Sequence, residues 1–203
     1  MSAVLRRALT CAVLLLACVL PLGSAQAAPD IRPKDNVALA QIATDAGHAF
    51  DFSWEIRKQR GGIVDHLNSA QAYSQCVECG ASAVAFQIVL ATDSNTVIPR
   101  NEAIAINNGC TDCVTVAEAR QFVRVYDRAV RITGAGRAVL DDVRAQLDAL
   151  ATQNLDAIAL HTAVETQEAR VKQVLAEDVV LRADPDTEAD VIEHHVYQDD
   201  DLS

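Results

Sequence analysis

Between residues 36 and 126 the chain alternates small or apolar side chains with polar ones in short runs. Phe50, Phe52, Trp54 and Ile56 alternate with Asp51, Ser53 and Glu55, the pattern of a half-buried strand. Val37, Leu39 and Ile42 nearly alternate with alanines, and Ala103-Ile-Ala-Ile106 runs into Asn107-Asn108-Gly109, a strand entering a turn. Phe122, Val123, Val125 and Tyr126 fit a strand or a helix. The reading is mainly β, built of Ala-rich strand-turn-strand units. The alternative is α+β, with residues 81–92 and 114–131 as helices, because Ala, Glu, Gln and Arg are good helix formers. From about Gly136 to Val180 the period changes. Leu140, Val143, Leu147 and Leu150 recur at spacings of 3 and 4, and the frame continues through Asn154, Ala157, His161, Val164, Glu168, Val171 and Leu175. This predicts a long amphipathic helix over 136–181 with a heptad-like seam. Polar residues on the seam point to packing as a helical hairpin or on the sheet, with a coiled-coil homodimer as the alternative.

The β part is repetitive. Asn36-Val-Ala-Leu-Ala40, Asn68-Ser-Ala-Gln-Ala72 and Asn101-Glu-Ala-Ile-Ala105 share the mark N-x-A-x-A. Copies two and three each carry a CxxC motif, Cys76-Val-Glu-Cys79 and Cys110-Thr-Asp-Cys113. Ala83, Ala85, Gln87 and Val89 recur at the same offset as Ala117, Ala119, Gln121 and Val123. A period of this length marks stacked supersecondary units, none able to bury its apolar face alone. Copy one has Thr44-Asp-Ala-Gly47 where the others have cysteines. The cysteines therefore occupy turns, with Gly61-Gly62 and Asp93-Ser-Asn95 as connectors. The alanine-rich faces bury little area each. With Phe50, Phe52, Trp54, Phe86 and Phe122 as the large rings beside the tyrosines, the core is thin, and cross-links would compensate.

The chain begins with Arg6 and Arg7, an apolar run from Ala8 to Leu22, and Ala25-Gln-Ala27. This is the pattern of a secretory signal peptide over residues 1–28. Cys18 follows Leu-Leu-Ala, as in a lipoprotein processing site, but the apolar run continues past it, so release is preferred over a lipid anchor. No second run has membrane length. The expected location is secreted or extracellular, with cell-wall association open. The 28 acidic residues outnumber the 17 basic ones, and loss of Arg6 and Arg7 takes the formal charge from −11 to about −13. That excludes nucleic acid as a natural partner and leaves a protein or a cell-envelope component. Residues 29–135 form the three-repeat domain, and 182–203, rich in Asp and Glu, reads as a solvated tail.

Export leaves four cysteines, expected as two disulfides. Crossed pairing, which closes a loop of about 34 residues and is worth about 3–4 kcal/mol in the chain-entropy model, is preferred over closure of each motif on itself. The alternative is a four-cysteine zinc site at Cys76, Cys79, Cys110 and Cys113; the other is a catalytic CxxC. The latter needs a low-pKa thiol, and Glu78 and Asp112 inside the motifs oppose a further negative charge. His194-His195 beside Glu193 reads as a polar pair before a metal site, His161 as a packed or solvated seam residue, and His48 and His66 have no site-building spacing. Gly134-Ala-Gly136 reads as a turn ahead of the helix, and Asp141-Asp142 as its first-turn acids. There is no HExxH, GxSxG or glycine-rich phosphate loop. No residue is assigned as catalytic or as cofactor-binding.

The stretch from Asn68 to Val89, N-x-A-x-A-Y-x-x-C-x-x-C-x-x-x-A-x-A-F-Q-I-V, resembles a family of exported proteins of high-GC Gram-positive bacteria. Pro99 to Cys113, the unit from Asn36 to Trp54 and the long C-terminal helix are also similar, covering roughly residues 31–180. Some members are labelled as peptide zinc metalloprotease proteins. No zincin motif occurs here, so that label transfers to no residue. The resemblance implies secretion and a cysteine-stabilised repeat domain whose activity is unassigned.

Overall fold

The computed structural model describes residues 35–182 and the backbone of 193–195. The expected signal peptide, Cys18, and the remainder of the acidic segment lie outside the described residues. The chain winds through three coils. The first holds β1 (Asn36–Ile42), β2 (His48–Arg60) and β3 (Ile63–Val64); the second β4 (Leu67–Ser74), β5 (Gly80–Thr92) and β6 (Thr96–Val97); the third β7 (Arg100–Asn107), β8 (Val114–Tyr126) and β9 (Val130–Ile132). Like strands of successive coils pair in parallel, giving sheets β1-β4-β7, β2-β5-β8 and β3-β6. The repeat is therefore one turn of a parallel β-solenoid. The helical alternative for residues 81–92 and 114–131 is not adopted: both stretches are strands up to Tyr126. Their alanines fill a narrow interior, where small size outweighs helix propensity.

Register follows the repeat marks. Asn36 pairs with Asn68 and Asn68 with Asn101; Gln87 pairs with Gln121. Central β5 is buried along its whole length, as a parallel strand covered on both faces must be. One face of the long sheet meets the short sheet through Ala38, Ala40, Ala70, Ala72, Ala81, Ala83, Ala85, Ala117 and Ala119. The other face, with Val84, Phe86, Ile88, Leu90 and Phe122, carries the larger core against the helices. Trp54 stacks on Phe86, centroids 5.9 Å apart, and Phe86 lies 6.3 Å from Phe122. One aromatic file thus runs across all three coils.

Two polar ladders cross the alanine-lined interior. Asn36 Nδ2 donates to Asn68 Oδ1 at 2.7 Å, and Asn68 Nδ2 donates to Asn101 Oδ1 at 2.8 Å. Each amide also reaches the facing sheet, at the carbonyls of Phe86, Ala85 and Ala119 respectively. The second ladder runs from Gln121 to Gln87 at 2.7 Å and from Gln87 to Glu55 at 2.7 Å. Side-chain amides suit this role because each holds donor and acceptor together, so a stack of identical residues satisfies itself.

The helical region expected over 136–181 is a hairpin, one of the packings its polar seam positions pointed to. The segments are α1 (Gly134–Asp148), a 3-10 turn (Ala149–Thr152) and α2 (Ala157–Glu177). Asn154 takes a positive φ of 44°, and Asp156 caps α2 through Ala159 N at 2.8 Å. The heptad frame crossed this break because Asn154 and Ala157 preserved its spacing. Helix α1 also starts earlier than expected, at Gly134 with Thr133 as its cap, so Asp141 and Asp142 sit mid-helix. Gly136 is required there, since a Cβ would lie 2.5 Å from that of Asp178. The seam that a coiled-coil dimer would use is covered within the chain: Leu140, Val143, Leu147, Val164, Val171 and Leu175 are buried. Helix α1 packs against β2 and α2 against β8. Strand β10 (Val179–Leu181) pairs antiparallel with β9. Strand β11 (Glu193–His195) pairs antiparallel with β8, so this part of the acidic segment adds to the long sheet, where a solvated tail was expected.

Asn68 accepts one ladder bond and donates two. Asn68→Ala is expected to lose about 2–4 kcal/mol by stranding buried partners. Urea unfolding should show a lower midpoint with an unchanged slope.

Candidate functional site

The three coils turn the same corner between the short and long sheets. Ala46, Glu78 and Asp112 hold φ of 53°, 53° and 54°. Ala46 N donates to the Val77 carbonyl at 2.9 Å, and Glu78 N to the Thr111 carbonyl at 2.9 Å. Val77 and Thr111 also form a parallel bridge. The left-handed residue folds each corner back, so the cysteine before it and the cysteine after it face each other. In copy one the same corner forms without cysteines, and Asp45 Oδ1 accepts from Val77 N at 2.9 Å.

Two disulfides result, Cys76–Cys79 and Cys110–Cys113, with Cα–Cα distances of 6.0 and 5.8 Å. The crossed pairing favoured by loop entropy is thus overturned. Loop-closure entropy acts on the unfolded chain, whereas partner choice here follows the corner, which puts both sulfurs of one motif together. Stacking still brings the two bonds into contact: Cys79 Sγ lies 3.3 Å from Cys113 Sγ. All four sulfurs fall within 4.8 Å of one another. Cys76 and Cys79 are buried, and Cys110 and Cys113 are half-buried.

A depression of about 290 Å³ adjoins the stack, lined by His48, Glu78, Cys79, Asp112, Asp156 and backbone around them. His48, given no role from its spacing, is brought beside Cys79 because it opens β2 opposite Gly80. A Cβ on Gly80 would meet the His48 ring at 2.7 Å. His66 is instead buried, with Nε2 2.8 Å from Gln59 Oε1. His194 and His195 belong to β11, whose side chains are outside the described residues.

Spacing alone did not reveal a buried ionic cluster where α2 meets β8. Arg120 Nη2 lies 2.9 Å from Glu118 Oε2, and Arg120 Nε 2.5 Å from Glu168 Oε2. Lys172 Nζ reaches Glu168 Oε1 at 2.5 Å, and His161 Nδ1 lies 3.0 Å from Glu118 Oε1. His161 and Glu168 are two of the polar seam positions. Their signal was visible as a fault in the apolar seam, but its partners on β8 required the fold. A third surface is the open groove of Phe52, Trp54, Asp141, Arg144, Ala145 and Asp148 between β2 and α1. No family model, curated protein or solved structure matches the chain.

Trypsin separates the two motifs, since Arg100 lies between them and Arg120 follows the second. Without reductant, peptides 61–100 and 101–120 should appear unlinked, each two hydrogens lighter than its reduced form; one joined peptide would restore crossed pairing. Arg120→Met, which leaves Glu118 only His161 and Glu168 only Lys172 as partners, is expected to cost about 3 kcal/mol in urea unfolding. Adding Glu118→Leu and Glu168→Met should recover most of that loss.

Proposed function

We propose that this chain is an exported, non-enzymatic structural or binding protein of the cell envelope or extracellular space, stabilised by its cysteine cross-links. The observation that carries this reading is how the polar side chains are used. The buried charges Glu118, Arg120 and Glu168 pair as ions between sheet and helix. The interior amides of Asn36, Asn68, Asn101, Gln87 and Gln121 bond to one another in ladders, with Gln121 Oε1 left without a partner at the end of its row. Such groups build a rigid scaffold and do not converge on a substrate. The signal-like first 28 residues, the acidic charge and the resemblance to exported proteins support location outside the cytoplasm. The groove floored by Phe52 and Trp54 and rimmed by Asp141, Arg144 and Asp148 is the surface offered to a protein or envelope partner.

Expression of the full chain in an exporting bacterial host tests this. The expected product lies outside the cytoplasm, starts at residue 28 or 29, and resists alkylation until reduced. An uncleaved cytoplasmic chain with all six of its cysteines as free thiols would overturn the reading.

A thiol–disulfide oxidoreductase is the second reading, favoured by the depression that sets His48 beside Cys79. The acidic neighbours Glu78 and Asp112 oppose it by disfavouring a thiolate. Structural bonds should show reduction potentials below about −300 mV. A potential near about −200 mV, with exchange activity lost in Cys76→Ser or Cys110→Ser, would establish the second reading instead.

A further inference from the structure

We propose that the four cysteines, once reduced, form a closed four-thiolate site for one thiophilic dication such as zinc. The solenoid supplies the geometry. Two CxxC corners stacked one coil apart place all four sulfurs within 4.8 Å of one another. A tetrahedral four-sulfur site with metal–sulfur bonds of about 2.3 Å has edges of about 3.8 Å. Small side-chain rotations convert one arrangement into the other.

The corner itself does not need the disulfides. Ala46 adopts in coil one the same left-handed conformation that Glu78 and Asp112 adopt in coils two and three, with no cysteine beside it. The backbone ladder through the corners, Ala46 to Val77 and Glu78 to Thr111, also involves no sulfur. Reduction therefore leaves the thiols gathered. Charge then selects the occupant. Four thiolates next to Glu78 and Asp112 repel one another, and a dication relieves that repulsion. The acidic residues that disfavour a lone reactive thiolate favour a bound cation. All four coordination positions would be filled by sulfur, so the site is structural and has no place for a hydrolytic water.

The interconversion balances. Each disulfide takes two electrons and two protons from one dithiol, which is itself oxidised to a disulfide. The four thiols then release four protons as the dication binds. Oxidation by a disulfide-bearing partner reverses this, restores both local bonds and expels the metal. The same sulfurs thus hold the corners together in either redox environment.

Titration of the full mature chain with Co2+, before and after reduction by a phosphine under anaerobic conditions, tests the proposal. One Co2+ per reduced chain with a tetrahedral thiolate spectrum is expected, displaced by Zn2+ and absent before reduction. Cys79→Ser with Cys113→Ser, shown folded by far-UV circular dichroism, should abolish the spectrum. Native mass spectrometry of the reduced, unmutated chain tests the site without a variant: one zinc bound with loss of four protons supports it. An unshifted apo mass, an octahedral cobalt spectrum, equal binding before reduction, or a spectrum retained in the double variant would overturn it.

Discussion

Everything in this protein depends on holding successive coils in one register. A parallel stack has no hairpin turn to set its alignment, and a one-residue slip would send every inward side chain outward. The asparagine ladder prevents that slip. Asn36, Asn68 and Asn101 can satisfy one another only when the coils stand in line. Their bonds to the facing sheet also fix the gap between the layers, and that gap admits alanine and little else. Narrow spacing, small side chains and a repeating amide are thus parts of one solution.

Outside this interior the coils differ, and the differences assign each coil a task. The first turns its corner with Thr, Asp, Ala and Gly. The second and third turn the same corner with cysteines, where two disulfides meet sulfur to sulfur. On the helix side, Val84 and Phe86 of the second coil stand in register with Glu118 and Arg120 of the third. At these positions it is the last coil that offers charge to α2, and His161 and Glu168 answer it. A buried ionic cluster adds little net stability against an apolar replacement. Its effect is to specify where the helix docks.

The repeats, the corners and the connectors were legible, because each leaves a local mark such as an N-x-A-x-A or a Gly-Gly, whereas of the strands those within residues 81–92 and 114–131 stood open between strand and helix for their alanines. Disulfide formation was legible from residue count, but partner choice was not. Partner choice depends on the φ of Glu78 and Asp112; Glu gives no sign of a left-handed conformation, and Asp, though enriched there, is common in other conformations too. The hairpin break at Asn154 was hidden because the seam spacing carried on through it. The ionic cluster was half legible. His161 and Glu168 stood out as polar residues on an apolar stripe, while Glu118 and Arg120 resembled ordinary polar positions of a strand. Their pairing joins residues 48 apart in sequence for Arg120 and Glu168, a distance that no periodicity spans.

The helical hairpin has a width as well as a position. Helix α2 lies on β8 and α1 reaches β2, so the pair covers the long sheet from its last coil to its first. Two packed helices stand about 8–10 Å apart, and three strands spaced about 4.8 Å span nearly the same breadth. The hairpin therefore gauges the array. With two coils α1 would overhang the coil strands, and a fourth coil would have to add a strand beyond the pair, since β11 already occupies the β8 edge. A repeat protein that could in principle lengthen by duplication is held to three coils by the breadth of its own lid.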